Sequence, residues 1–337
     1  MSEIVADSQQ IIAASSASMA QQMSPPSRAG DKVFEWFTLL MAFSVVVLIG
    51  LVGWQLFSGS SLAIKKFGAS FLIKSNWDPV SDDYGALPFI YGTLVSSFLA
   101  LLIAVPLSIG AAVYLTELAP RWLRQPITSL VEMLAAIPSV ILGLWGIFVM
   151  VPWMRDHVLP GLKWFFHFKP FVLIGVSKLF SGPAYGPSML AGGVIIAIMI
   201  IPIITSVSRE IISSVPGLQR EAAYGLGATR WEVIRIAVLS YAKRGLFGAA
   251  ILGLGRALGE TMAVTMVIGN TPQISASLFA PGYTLASVIA NEFAEATTDV
   301  YLQALFEIGL VLFLLTVAVN FGAQLILKTF SGSTPSA

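Results

Sequence analysis

Six apolar runs, each long enough to cross a lipid bilayer, constrain this chain more than any other feature. A helix of roughly 20 mostly apolar residues spans the hydrocarbon core of a membrane. Only 11% of the residues are charged and 56% are hydrophobic, so water cannot be the solvent for most of the surface. The sequence therefore predicts an all-α membrane protein with six transmembrane helices. The predicted spans lie near residues 34–57, 88–115, 127–151, 188–212, 245–269 and 301–327.

The distribution of lysine and arginine predicts the orientation. With the N-terminus in the cytoplasm, the inner segments are richer in basic residues than the outer ones, and the outer segment 270–300 contains none. Both termini and the segment 213–243 then lie in the cytoplasm. Residues 1–30 are rich in Ser, Ala and Gln and have no compact apolar core before a cleavage site. A disordered cytoplasmic tail is therefore favoured over a cleaved signal peptide, and residues 328–337 form a second cytoplasmic tail.

Composition also argues against several kinds of partner and site. The net charge of +1 argues against nucleic acid as a partner, and the absence of cysteine excludes disulfides and thiolate metal sites. His157 and His167 have no carboxylate or second histidine at ligand spacing, which argues against a metal site. The outer loop 152–187 is dense in aromatic residues. These side chains suit the headgroup boundary of a bilayer, and they could equally dock a soluble partner.

A polar insert separates the fourth and fifth apolar runs. Pro216 suits the first turn of a helix, which predicts a short helix over 216–225 that ends at glycine. Thr229 and Glu232 have the spacing of a capping box, so a second helix is predicted from about residue 230. We refer to residues 216–232 as the elbow. It is expected to present four side chains outward: Arg220, Glu221, Tyr224 and Arg230.

The elbow could be a solvated connector or a docking element. The small residues Ala222 and Ala223 beside Glu221, and the glycine break after them, favour docking, because small residues let another backbone approach closely. A polar, folded element between two membrane spans then indicates a partner outside the bilayer.

The fifth apolar run contains two charges, Arg256 and Glu260. A charge at mid-bilayer on a lipid-facing surface costs about 3 kcal/mol or more, so both should face the bundle interior or a polar path. Their i,i+4 spacing predicts that they share one helix face and offset each other's desolvation. One interpretation is an ion pair that specifies helix packing. The other is an arginine fork that binds an oxyanion on its way through the membrane.

The elbow resembles the EAA loop of type I ABC importer permeases. The resemblance rests on Glu221, Ala222, Ala223 and, four residues later, Gly227. In that family the loop docks in a cleft of the cytoplasmic ATPase subunit and transmits its closure. The family pattern continues with Ile, one residue, Leu and Pro. This chain matches the Leu, but has Ala and Ser in place of the Ile and the Pro, at residues 237 and 240.

A second set of segments is similar to the PstC-type permease subunits of bacterial phosphate ABC importers, and the resemblance covers most of residues 31–327. The segments are 137–146, 180–183, 253–264, 268–271 and 290–296. The arginine and glutamate that this family is thought to use for phosphate translocation fall on Arg256 and Glu260. The resemblance implies a type I ABC importer permease fold, with its permease domain over 88–327 and the first helix and an outer loop over 31–87.

The same resemblance implies partners. They are a PstA-like second permease, a PstB-like ATPase dimer and a periplasmic PstS-like phosphate-binding protein, in a bacterial inner membrane. ATP would be bound by the ATPase, so this chain is expected to carry no cofactor and no enzymatic activity of its own. Open alternatives are a permease for sulfate, molybdate or phosphonate, an ATP-independent anion carrier or channel, and a regulatory scaffold that senses phosphate. An intramembrane enzyme would need a catalytic constellation at depth, and the sequence has none.

Overall fold

Six long apolar helices dominate the computed structural model, which describes residues 28–167, 176–183 and 185–329. The predicted all-α membrane architecture with six spans is confirmed. The chain divides into two units, residues 1–54 and 55–337. The spans are Gly30–Gly59, Leu87–Leu118, Ser139–Phe166, Met189–Ser213, Arg230–Leu258 and Asp299–Lys328.

The helices are numbered in chain order, with π-helical turns at Tyr114–Leu118, Gly146–Met150, Met154–Val158 and Val233–Leu239 counted as parts of the helices that contain them. They are α1 Arg28–Gly59, α2 Ser61–Phe67, α3 Leu87–Leu118, α4 Arg121–Ala135, α5 Ser139–Phe166, α6 Met189–Ser213, α7 Gly217–Gly225, α8 Arg230–Leu258, α9 Met262–Val267, α10 Leu285–Glu292 and α11 Asp299–Thr329. Turns of 3-10 helix cover Gly68–Leu72 and Val176–Phe180, and a small antiparallel hairpin pairs β1 (Trp77–Asp78) with β2 (Asp83–Tyr84).

The third predicted span, 127–151, is placed wrongly. The chain breaks at Pro138, whose backbone is extended at φ −58° and ψ 137° and which begins a new helix, α5, at Ser139. Proline has no amide hydrogen to continue the preceding helix. Residues 127–135 instead belong to the amphipathic helix α4, where Glu132 forms an ion pair with Arg209 of α6 at 3.3 Å.

The core of the 55–337 unit is built around α6. It packs between α3 and α8, and most of its side chains are buried. Glycines on α8 allow the close approach, since a Cβ at Gly253 would lie 2.6 Å from Cδ1 of Ile204 and one at Gly245 the same distance from Ile211. This register places the end of α8 level with the middle of α6. The residues near 256 therefore lie at the depth of the bilayer interior.

A carboxylate at the end of α10 ties the hairpin to the helices. Oε2 of Glu292 accepts hydrogen bonds from Nε1 of Trp77 and from the hydroxyl of Tyr301, both at 2.7 Å, and Oε1 accepts from the hydroxyl of Tyr283 at 3.1 Å. Burial raises the pKa of Tyr283, so its hydroxyl keeps the proton that it donates. The rings of Tyr84 and Tyr301 stack with centroids 5.4 Å apart. One carboxylate thus fixes the hairpin against α10 and α11.

Replacing Glu292 with leucine should loosen the hairpin. The change leaves three donors without their acceptor, and each unpaired buried donor costs about 1–3 kcal/mol. We expect the free energy of local opening over residues 74–86, measured by hydrogen exchange, to fall by about 3 kcal/mol. Glu295→Leu is the matched control, because Glu295 is exposed and should leave exchange unchanged. Equal protection in both variants would contradict a structural role for the carboxylate.

Candidate functional site: the elbow and the cleft beside Arg256

The elbow is a helix, a left-handed turn and a second helix. Its first helix is α7, as predicted for 216–225. Gly227 then adopts a φ of +83°, which an L side chain rarely tolerates. The capping box is also confirmed: the amide of Thr229 donates to Oε2 of Glu232 at 2.8 Å, and the hydroxyl of Thr229 accepts from the amide of Glu232 at 3.4 Å. The turn is therefore fixed by its own local sequence.

The elbow is anchored to the end of α3 by Glu117. Oε1 of this carboxylate accepts from Nη2 of Arg220 at 2.8 Å and from its Nε at 3.2 Å. Arg220 also donates to the backbone carbonyls of Ile212 and Val215, and Arg230 donates to the carbonyl of Glu117. The prediction that Arg220 points outward is wrong, because its guanidinium turns inward onto this bridge. The guanidinium of Arg230 is likewise engaged with α3.

Other elbow side chains remain open to the surroundings. Glu221 and Ala222 are exposed, and Ala223 is partly buried. Tyr224 keeps 50% of its surface and Leu226 keeps 90%. Leu218 and Trp231 of the elbow are also exposed, at 76% and 63%. Several large apolar side chains exposed on one short element suit a surface that is covered by another protein.

The fifth predicted span, 245–269, is wrong at both ends. Helix α8 begins at the elbow with Arg230 and stops at Leu258, and Gly259 follows as the C-cap. Glu260 lies in the break before α9, where its Oε1 accepts from the amide of Ala263 at 3.4 Å. Arg256 and Glu260 therefore do not share a helix face, and among the described residues no ion pair joins them. The predicted ion pair, in which each charge would reduce the desolvation cost of the other, is therefore not present in the described structure.

Arg256 instead faces a cleft between three helices. The cleft has a volume of about 490 Å³ and lies between α6, α8 and α11. Its lining is otherwise apolar apart from Asn320. The side chain of Arg256 is exposed to it, and in the described part of the chain the guanidinium has no hydrogen-bond partner. Because an arginine at this depth needs a counter-charge or a polar path, the cleft is the strongest candidate for a functional site.

A second cavity, of about 390 Å³, lies beside the elbow. Its lining includes Arg124, Arg209 and Arg220. Each of these arginines already has a protein partner: the Thr116 carbonyl at 2.8 Å, the Thr128 hydroxyl at 2.8 Å, and Glu117. The arginines around this cavity therefore belong to a network of hydrogen bonds and ion pairs that joins α3, α4 and α6 to the elbow.

Three polar residues of the structure were not predicted from the sequence as site residues. Glu117 is paired with a residue more than 100 positions away, so no local pattern marks it. Asn320 could have been found, because it is a polar residue within an apolar run, one helical turn after Thr316. Glu307 is only 6% exposed, and its Oε2 has no hydrogen-bond partner among the described residues. The predicted loop 152–187 is wrong at its start, because residues 152–166 belong to helix α5, and Phe168 and Phe171 lie outside the described residues.

Comparisons with known proteins agree with this architecture. Residues 104–331 match the family described as binding-protein-dependent transport system inner membrane component. The chain is 48% identical to the phosphate transport system permease protein PstC of Mesorhizobium japonicum, over 90% of this chain and 92% of that protein. It is 49% identical to PstC of Pasteurella multocida, over 86% of this chain and 89% of that protein.

Similarity extends to an archaeon and to a solved structure. A probable phosphate transport system permease protein PstC of Methanocaldococcus jannaschii is 36% identical, over 85% of this chain and 90% of that protein. A chain of the MetNI methionine ABC transporter in an inward-facing conformation aligns with a TM-score of 0.48 and 20% identity, over 73% of this chain and 94% of that chain. From the family match and these identities, the chain belongs to the inner-membrane permease components of binding-protein-dependent transport systems, and it crosses the membrane several times.

Proposed function

We propose that this chain is a permease subunit of an ATP-driven phosphate importer and forms half of the phosphate translocation path. Relatives named as phosphate transport permeases align over about nine-tenths of the chain. The observation that carries the proposal is Arg256, an arginine at bilayer depth that faces a cleft and has no protein partner in the described structure. Its planar fork matches two oxygens of a phosphate. Glu260, two residues past the helix end, is the second proposed residue of the path.

The elbow is the proposed coupling element. Glu221, Ala222, Ala223 and Gly227 would dock in a cytoplasmic ATPase, with the exposed face around Leu226 providing apolar contact. In this arrangement both termini lie in the cytoplasm. ATP is bound by the ATPase, so this chain is not itself an enzyme. A cysteine placed at residue 221 should crosslink to the ATPase in the intact importer.

The remaining partners follow from the same proposal. A PstA-like permease would supply the other half of the path, a PstB-like pair of subunits the ATPase, and a PstS-like protein the phosphate. The cleft beside Arg256 opens at the side of this chain, where a second permease could close it.

Uptake of labelled phosphate by the reconstituted importer, with and without this subunit, tests the proposal. We expect uptake that needs both ATP and this chain. Sulfate and molybdate uptake should stay at background level. Uptake of another oxyanion in place of phosphate would support a related importer, and uptake without the ATPase would support an anion carrier.

A further inference from the structure

Asn320 places a second polar group on the cleft that contains Arg256. It lies on α11, whereas Arg256 lies on α8, and both line the same cleft. A Cβ built on Gly255 would lie 3.8 Å from Oδ1 and 3.9 Å from Nδ2 of Asn320. The amide therefore faces α8 at the residue next to Arg256. A guanidinium and a carboxamide thus approach the same space from two helices.

The amide of Asn320 has no hydrogen bond within its own helix among the described residues, unlike the hydroxyl of Thr316. Thr316, one turn earlier on the same helix, donates its hydroxyl to the carbonyl of Leu312 at 2.8 Å. Asn320 has no such bond among the described residues, although it is partly buried in an apolar helix. A carboxamide away from water costs free energy unless it is hydrogen-bonded. The cleft is therefore the place where the carboxamide of Asn320 can find a hydrogen-bond partner.

We propose that Asn320 is a second contact for the oxyanion in the cleft and positions it against Arg256. This inference rests on the proposed function. The two side chains are chemically complementary: arginine offers only donors, whereas a carboxamide offers donors and an acceptor. At neutral pH inorganic phosphate is a mixture of HPO4²⁻ and H2PO4⁻, so each ion presents unprotonated oxygens and at least one hydroxyl group. Arg256 contacts the unprotonated oxygens, and Asn320 either donates to a third oxygen or accepts from the hydroxyl.

The test uses the whole importer with Asn320→Leu, which keeps similar volume and removes the polar atoms. Because the binding protein captures the phosphate, we expect the apparent KM to stay unchanged. The maximal uptake rate should fall about tenfold, the effect of losing one hydrogen bond to a charged ligand. Thr316→Val is the matched control and should transport at the normal rate, since that hydroxyl is bonded to its own helix. Asn320→Gln retains the amide and should recover part of the rate.

Three outcomes would overturn the inference. The first is a normal maximal rate in Asn320→Leu. The second is a loss of uptake in that variant explained entirely by a loss of the assembled complex, together with normal transport by Asn320→Asp. The isosteric Asp variant keeps the shape but presents a negative charge to the oxyanion, so assembled and inactive Asn320→Asp supports the inference. The third is equal slowing by Thr316→Val.

The proposed function and this inference can fail separately. If Arg256→Gln transports phosphate normally, the cleft is not the path and both fail. If Arg256→Gln is inactive while Asn320→Leu keeps its normal rate, the path stands and only the contact with Asn320 is refuted.

Discussion

Phosphate uptake should fall by about 100-fold or more when Arg256 is replaced by glutamine, while the assembled importer remains intact. Glutamine is polar but shorter and has neither the charge nor the fork, so two charge-assisted hydrogen bonds to the oxyanion would be lost. The guanidinium makes no hydrogen bond or ion pair with the described residues, so its removal should not disturb packing. The measurement is initial-rate uptake of labelled phosphate, normalised to the amount of purified complex.

Two variants sharpen this experiment. Arg256→Lys keeps the charge without the planar fork and should retain an intermediate rate. Arg235→Gln, an exposed arginine on the same helix, removes an equal charge away from the cleft and should transport normally. Normal uptake by Arg256→Gln, or equal losses in Arg256→Gln and Arg235→Gln, would contradict a direct role for this guanidinium.

Gly227→Val should uncouple the importer. Gly227 has a φ of +83°, and a left-handed conformation costs an L residue about 1–2 kcal/mol, more when the side chain is β-branched. Valine should therefore change the path of the turn between α7 and α8 and move Leu226 away from its proposed contact with the ATPase. We expect phosphate uptake to fall at least about tenfold, since a shift of 1.4 kcal/mol corresponds to one decade. ATP hydrolysis should lose its dependence on the loaded binding protein.

Gly225→Ala is the matched control for the elbow. Gly225 is the last residue of α7, has no left-handed backbone, and a Cβ there would meet no atom within 4 Å. Alanine also has the higher helix propensity. We expect normal uptake and normal ATP hydrolysis. If Gly227→Val transports phosphate as fast as Gly225→Ala, with ATP hydrolysis still dependent on the binding protein, the elbow does not couple the ATPase to transport.

Features encoded within a few residues could be predicted from the sequence. The apolar runs predict six spans because the bilayer sets a minimum length that depends on local composition alone. The capping box needs only Thr229 and Glu232, three residues apart, and it forms as expected. The shape of the elbow is therefore encoded locally, and Gly227 has the backbone conformation that only glycine adopts readily.

Features that depend on packing could not be predicted in this way. Hydropathy stays high through residues 245–269, so mean composition does not mark the end of α8 at Leu258, although Arg256 in the last turn and Gly259 at the C-cap are local signals of a helix end. It becomes favourable because α9 packs against α5, where a Cβ on Gly143 would lie 2.7 Å from Sδ of Met266. The same holds for Arg220, whose inward turn depends on Glu117 in a distant helix.

Helix α8 runs without a break from the elbow to the residues of the cleft. At a rise of about 1.5 Å per residue, roughly 40 Å separate Arg230 from Arg256 along this continuous helix, which includes the π-helical turn at Val233–Leu239. A continuous helix of this length acts as a lever arm. A tilt of about 5° at the elbow end would move the guanidinium sideways by about 3 Å, roughly the length of the hydrogen bond by which it would hold an oxyanion. In the proposed importer, a movement of the elbow would therefore change the contact between Arg256 and the oxyanion directly, with no signal relayed through intervening side chains.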